Sequence, residues 1–485
     1  MDNDQVNPQS HATPNVLNPS QVEVVMVPLP AQGHLNQFLH LSRLISAYNI
    51  PVHFVGAAVH NRQAKLRVHG WNPNSTPNIH FHNFTASPFP SPPPNPAAPH
   101  KFPSHLIPSF AAANRHLSEP LGDLVRKLSS KTRRVIVIHD SVMASAVRDV
   151  VSMPNTEIYT FHTVSAFTIF LYFWETMRRV PSLELVEAKN RCIPVEVPAI
   201  RECFPTEFYD FVEEQYEFQN INSGNIFNSI RIVEKPYMDL MDKILEGKRN
   251  WAIGPFNPVS FSEDKTSNDD RHICLKWLDK QEPNSVIYVS FGTTTALTDE
   301  QVRELAFGLE QSEIKFIWAL RDADKADIFN DGDETQVRKI ELPKGYEERM
   351  RDMGIVVREW APQLEILGHP STGGFLSHCG WNSCMESITM GVPIGAWPMH
   401  SDQPRNAVLV TELLGIGTVV REWAHRDDVA RADTVANGVR ELMASEKGNE
   451  VRKRAEELGG AVRESVAEGG ASRKELDSFI AHIYH

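Results

Sequence analysis

Short apolar runs that break into loops and then take up helical spacing recur along this chain, and they restrict its fold more than any other feature. Residues 22–29 (VEVVMVPL) are apolar except for Glu23 and Pro28. A strand with apolar side chains on both faces has to be covered on both, the situation of a parallel sheet wrapped by helices. After Pro30-Ala31-Gln32-Gly33-His34 come Phe38, Leu39, Leu41, Leu44 and Ile45 at helical spacing. The order is strand, loop, helix.

Further strand runs fall at 51–57, 135–138, 158–160, 225–228 and 251–254. A second series begins with 285–290 (SVIYVS) and continues through a helix at 299–311, whose Val302, Leu305, Ala306 and Leu309 share one face, to a strand at 315–320, and 355–357 leads into the stretch at 360–403. Between the series, 260–271 (SFSEDKTSNDDR) is polar and aperiodic, the composition of a linker. A chain of 485 residues also exceeds what one hydrophobic core usually supports. The expected fold is α/β: two Rossmann-like β/α/β domains facing across a cleft, at 22–259 and 272–465, with a disordered tail at 1–21.

Composition narrows the function. With 48 basic against 61 acidic residues the formal charge is -13, and no long basic run occurs, which argues against a nucleic-acid or anionic-membrane partner. Five cysteines, odd in number and outside C-x-x-C pairs, fit reduced thiols in the cytoplasm. No zinc-like spacing is present. The polar start lacks the apolar core of a signal peptide, and the longest apolar run, 164–174, is far too short to span a membrane.

Ligands in open α/β sheets sit beyond the carboxyl ends of strands, so strand ends are where chemistry is sought. His34 follows the first strand, Asp140 ends the run at 135–138, and Phe161-His162-Thr163 ends the run at 158–160. A histidine at a helix start is held toward the neutral form, which suits a proton acceptor, although a lone histidine is more often a packing residue. Asp140 suits either a helix cap or a partner for His34. The Pro-dense stretch 87–103 carries Phe89 and Phe102, and 204–216 carries Phe208, Tyr209, Phe211 and Tyr216. Such aromatics line a pocket for a flat ligand or simply build core. No complete G-x-G-x-x-G occurs, which argues against a dinucleotide enzyme.

Residues 360–403 (WAPQLEILGHPSTGGFLSHCGWNSCMESITMGVPIGAWPMHSDQ) mix aromatics, glycines and isolated polar groups as a plain core segment does not. Residues 377–383 read as a turn feeding a helix at 384–390, whose free N–H groups would face an anion. Ser383-x-x-Glu386 has the spacing of a capping box, and spacing alone favours that structural reading.

The stretch resembles, without a gap, the signature box of the plant UDP-dependent glycosyltransferases, and segments 28–37, 135–145, 251–258 and 285–295 resemble other parts of that family. "VSFGTTTALTDEQ", "WAIGPFNP" and "VIHDSVMAS" are most similar to its zeatin (cytokinin) O-glycosyltransferase branch. The resemblance implies a GT-B fold and an inverting hexosyltransferase that moves glucose from UDP-glucose to a hydroxyl of a small hydrophobic alcohol, a cytokinin first. It implies that Trp360, Ala361 and Gln363 receive uracil and ribose, that Glu386 holds ribose hydroxyls, and that His378, Asn382, Ser383 and Thr293 hold the diphosphate. Trp381, Asp402 and Gln403 would contact the sugar. His34 would be the general base, with Asp140 orienting it. Phe89, Phe161, His162 and Phe208 are the acceptor-side candidates, and the last helix, within 466–485, would cross back onto the first domain. No cofactor and no essential metal are expected, and the working unit is taken as a monomer. Alternatives within the chemistry are a flavonoid, phenolic or terpenoid acceptor, or UDP-xylose as donor. A non-catalytic nucleotide-sugar binder is the alternative of another class, one that would need neither His34 nor Asp140.

Overall fold

The computed structural model describes residues 21–68, 70–85, 101–177, 180–219, 221–260, 271–293, 297–320 and 340–485. The expected tail, most of the Pro-dense stretch with Phe89, nearly all of the 260–271 linker, and the polar segment following the strand at 315–320 lie outside these residues.

Two parallel sheets are present. The first contains β1 (Val22–Val27), β2 (Val52–Ala57), β3 (Ile79–Phe84), β4 (Arg134–Asp140), β5 (Thr156–His162), β6 (Gly224–Phe227) and β7 (Arg249–Ala252), in the order β3-β2-β1-β4-β5-β6-β7. The second contains β8 (Val286–Ser290), β9 (Lys315–Ala319), β10 (Gly354–Val357), β11 (Thr372–Ser377), β12 (Ile394–Ala396) and β13 (Gly417–Val419), in the order β10-β9-β8-β11-β12-β13. This is the GT-B arrangement of two Rossmann-like halves.

β1 illustrates why the sheets are covered on both faces. Val24 and Met26 pack with Phe38 and Leu41 of the helix Gln32–Ser46, whereas Val25 and Val27 pack with Leu121 and Val125 of the helix Ile107–Ser129. Alternation along one strand thus feeds two cores.

In each sheet the strand order reverses direction once, and there the connections leave toward opposite edges and open a crevice. In the first sheet the reversal lies between β1 and β4, paired in register from Val22↔Arg134 to Val27↔His139. In the second it lies between β8 and β11, paired from Thr372↔Val286 to Ser377↔Ser290. The loops leaving these four strands form the facing walls of one cleft.

Several elements differ from the sequence reading. β3 (IHFHNF), β12 and β13 were not anticipated; the first is a half-buried edge strand and the others have three residues each, too few for a period to register. The helix expected after Asp140 is a 3₁₀ stretch, Ala144–Val150.

The helix Ala471–Tyr484 lies against the first sheet. Phe479 is fully buried, 5.6 Å from the Tyr159 ring centroid and 5.2 Å from that of Trp251. Arg133 donates to the Tyr484 carbonyl at 2.6 Å, and Arg134 to those of His482 and Ile483 at 2.9 and 3.1 Å, satisfying the open carbonyl end of this helix. Glu475 pairs with Arg231 at 2.7 Å.

Candidate active site

A cavity of about 350 Å³ lies between the halves, bordered by His34, Gln37 and Ser141 on one side and Thr293, Trp360 and Asn382 on the other. A larger recess of about 1570 Å³ opens farther out on the first half, around Glu213, Glu246 and Lys248, away from both strand crossovers. Both reversal points open into the smaller cavity, where most of the expected site residues gather.

His34 and Asp140 are 106 residues apart in sequence, yet His34 Nδ1 lies 2.6 Å from Asp140 Oδ2. The pairing of β1 with β4 makes this contact, since His34 heads the helix following one strand and Asp140 ends the other. Asp140 is fully buried, and its second oxygen accepts the Val142 N–H at 3.1 Å. With the carboxylate on Nδ1, the proton is assigned to that nitrogen and Nε2 keeps its lone pair. The Thr163 hydroxyl lies 3.0 Å from the same Nδ1. Burial opposes protonation of this ring, but the charge of Asp140, its hydrogen bond and the charge of Asp402 outweigh that, so the His34 pKa is raised above 6.5. About 28% of the His34 side chain remains open, leaving it reachable from the cavity.

The opposite wall is built around His378, which follows β11. A Cβ on Gly292 would lie 2.6 Å from His378 Nε2, and one on Gly380 2.5 Å from it; Gly292 also has φ +78°. Both positions exclude side chains so that the imidazole can lie between them. Burial pushes the His378 pKa down to about 4, which keeps the ring neutral.

The next helix is Trp381–Met390, with Gly380 as its N-cap residue and no side-chain cap. The capping-box reading of Ser383 and Glu386 is therefore wrong. The helix starts three residues earlier than the apolar spacing indicated, because Trp381 is buried there and supplies its first turn. Glu386 instead accepts from Gln363 Nε2 at 2.7 Å, and the same amide donates to Ser383 Oγ at 3.0 Å. Burial raises the Glu386 pKa to about 7, although the Gln363 bond opposes it. Trp360 stands at the cavity edge with the Arg67 guanidinium 6.0 Å from its ring centroid, and Ala361 is buried behind it. Asn382 donates to the Gly33 carbonyl at 2.7 Å, joining the halves beside His34.

The remaining expected residues divide. Trp381 borders the cavity, but its indole N–H is donated to the Asn228 carbonyl at 2.8 Å and its ring belongs to a core shared by both halves. Asp402 accepts from Asn406 at 2.7 Å, and burial raises its pKa to about 6. Gln403 Oε1 accepts the Met399 and His400 N–H groups at 2.9 and 3.0 Å, which fixes its amide with the NH₂ turned the other way. Thr293 borders the cavity, and so does Phe208, stacked on Phe204 at 4.7 Å. His162 is on the cavity wall.

Phe161 does not belong to the site. It is fully buried, packed on Phe38 and Phe256 at 4.9 and 5.2 Å, because strand alternation turns it to the face opposite His162. The acceptor side is walled instead by Phe102, Leu106, Phe110, Tyr172, Phe204 and Tyr216. Sequence reasoning overlooked Gln37 and His400. Gln37 lies three residues beyond His34 on one helix, and that i, i+3 spacing was the available signal. His400 sits in an irregular loop, where no periodicity points to it.

Among the described residues no group of three or more His, Cys, Asp or Glu is placed to hold a metal ion.

Residues 20–258 match the family described as "Glycosyltransferase, N-terminal domain", and residues 256–447 match "UDP-glucoronosyl and UDP-glucosyl transferase". Over 464 residues the chain is 56% identical to the Zeatin O-glucosyltransferase of Phaseolus lunatus, covering 96% of this chain and 97% of that one. It is 53% identical, also over 464 residues, to the Zeatin O-xylosyltransferase of Phaseolus vulgaris, covering 96% and 98%. Among solved structures it resembles a UGT transferase from Siraitia grosvenorii in complex with UDP, with a TM-score of 0.74, 28% identity, and coverage of 96% of this chain and 100% of that chain. The chain belongs to the UDP-dependent glycosyltransferase family and is a UDP-sugar transferase of GT-B fold.

Gly292→Ala tests how the wall is packed. The added methyl group would collide with the His378 ring at a backbone angle that disfavours alanine. UDP affinity, measured by calorimetric titration, is expected to fall by about tenfold or more, equivalent to at least ~1.4 kcal/mol.

Proposed function

We propose that this enzyme transfers glucose from UDP-glucose to the side-chain hydroxyl of a cytokinin such as zeatin, with inversion, giving an O-β-glucoside. The contact between His34 and Asp140 carries the mechanistic part, since binding a nucleotide sugar would need neither group. The 56% identity to a Zeatin O-glucosyltransferase across nearly the whole chain supports the acceptor, and the apolar wall fits a small, flat alcohol. The 53% identity to a Zeatin O-xylosyltransferase keeps UDP-xylose as the second donor reading.

In this mechanism His34 Nε2 takes the acceptor's hydroxyl proton as its oxygen attacks the anomeric carbon. Asp140 holds the ring and stabilises the charge it gains. UDP leaves from the opposite face, so an α-linked donor gives a β-linked product in a single displacement. Trp360 offers its indole face to uracil, and Gln363 and Glu386 meet the ribose. His378, Asn382 and Ser383 receive the diphosphate at a helix start where no side chain competes for the N–H groups. Asp402 and the NH₂ of Gln403, which also lies 3.4 Å from His400 Nδ1, read the sugar hydroxyls. We place the working unit as a cytoplasmic monomer; the five cysteines are all unpaired thiols, which fits a reducing compartment. No described helix is long and apolar enough to cross a membrane.

The direct test is UDP release from UDP-glucose with a panel of zeatin, phenolic and terpenoid alcohols, with mass spectrometry of each product. Preferred transfer to zeatin supports the reading, and release with every alcohol except zeatin would reject it.

Two further results are expected. Because the base must be neutral and its pKa is raised, activity should fall as pH drops through a value above 6.5. In Asp140→Asn both the charge and the carboxylate bond are lost while burial remains, so that acid limb should move to lower pH in a kcat/KM profile. Glu386→Ala should raise the KM for UDP-glucose by about tenfold while changing the melting temperature little, since the carboxylate caps no helix.

A further inference from the structure

Four side chains on the cavity wall, His162, Gln37, Tyr209 and His378, hold a buried polar atom that nothing among the described residues satisfies, and the first two lie beside Thr163 and His34. The first is His162, only 1% exposed. Its Nε2 lies 3.1 Å from Asn225 Oδ1. Asn222 Nδ2 donates to the same oxygen at 2.9 Å, and Asn225 Nδ2 donates to Asn250 Oδ1 at 2.9 Å, so the Asn225 amide is held with its oxygen toward the imidazole. Nε2 is then the donor and Nδ1 carries the lone pair. Nδ1 has no partner. Burial pushes the His162 pKa down to about 4, so the ring is neutral and this nitrogen accepts but does not donate.

The second is Gln37, 4% exposed. Its Nε2 donates to the Thr163 carbonyl at 2.7 Å, which fixes the amide and leaves Oε1 as its acceptor atom. Oε1 also has no partner. Both side chains border the acceptor half of the cavity, one residue or one contact away from Thr163, whose hydroxyl lies 3.0 Å from His34 Nδ1. Buried acceptors left without a donor are costly, so two beside a reactive group call for a ligand-based explanation.

We propose that His162 Nδ1 and Gln37 Oε1 recognise N–H donors of the acceptor molecule, so that the cavity selects an N–H-bearing heteroaromatic, such as an amino-substituted purine, over alcohols that carry only oxygen functions. This rests on the transferase reading above and specifies how its acceptor is chosen. A phenol or terpenoid with no N–H leaves both atoms unsatisfied when it displaces water, whereas zeatin brings an exocyclic N–H a short allylic chain away from the hydroxyl that His34 would deprotonate. A site built around a polar partner discriminates strongly against an analogue that lacks it.

The test compares zeatin with the analogue in which an ether oxygen replaces the exocyclic N–H, both with UDP-glucose. Wild-type kcat/KM should be at least about 10²-fold lower for the ether. His162→Phe, which keeps the stacking on Phe227 at 4.7 Å, and Gln37→Met should each shrink that ratio by about tenfold or more, through a higher KM for zeatin. Equal use of zeatin and the ether by the wild-type enzyme would overturn the inference without any variant, and so would an unchanged ratio in both variants. If the wild-type enzyme glucosylates neither purine but does glucosylate phenols, the cytokinin reading and this inference fall together. Transfer to both purines at equal rates removes this inference alone.

Discussion

His34→Ala is expected to lower the transfer rate by roughly 10²- to 10⁴-fold while UDP affinity stays within a factor of about two. The size follows from the part that the ring is proposed to play. Its Nδ1 is held by Asp140 at 2.6 Å, its Nε2 is left with a lone pair, and its side chain remains open to the cavity. Donor affinity should be spared because the residues proposed to hold UDP come from the other half, after β8, β10 and β11. Single-turnover rates paired with calorimetric UDP titration separate the two effects. Transfer near the wild-type rate would assign the base to another group. A matching loss of UDP affinity would mean that His34 organises the donor wall through the adjacent bond from Asn382 to Gly33.

Phe479→Ala is expected to destabilise the enzyme by about 3–5 kcal/mol. Phe479 is fully buried between Tyr159 of β5 and Trp251 of β7, although it lies only a few residues from the end of the chain. A terminal helix resting on a surface would lose far less. Here Leu476, Ile480 and Ile483 belong to the same core as β1, and three carbonyls at the helix end are bonded to Arg133 and Arg134. Truncating the ring leaves a cavity beneath the first sheet that its neighbours cannot fill without moving strands. Chemical denaturation followed by tryptophan fluorescence reports directly, because Trp251 is in the contact. A loss below about 1 kcal/mol would show that the helix is not an integral part of the first core.

The fold was legible where the chemistry of burial is strongest. β1, β4 and β8 are apolar on both faces, and a sequence cannot carry such runs repeatedly without a covered parallel sheet. β12 and β13 were invisible because three residues hold no period, and β3 was missed because His80, His82 and Asn83 give it the look of a loop.

The site was legible in part, for a related reason. His34 and Asp140 are both marked by strand ends, but only the sheet order, which no spacing reveals, makes them neighbours. Phe161 and His162 are adjacent in sequence and were treated alike. A strand sends neighbours to opposite faces, so one is core and the other borders the cavity. Spacing alone puts a cap at Ser383 and Trp381 in a turn, whereas the burial of Trp381 starts the helix earlier. Gln37 is hard to read because its partner, the Thr163 carbonyl, comes from a distant segment, and His400 because it sits in an irregular loop and meets the Phe102 ring, 5.8 Å away, from another part of the chain.

The linkage made in the product tests the central claim most directly, because a single displacement by a base-activated hydroxyl fixes both which atom is glycosylated and on which face. Purified enzyme with UDP-glucose and zeatin should give one product. Its proton NMR spectrum should show the large diaxial anomeric coupling of a β-glucoside and a correlation from the anomeric proton to the side-chain methylene. An α-linked sugar, or a sugar attached to a ring nitrogen, would contradict the account.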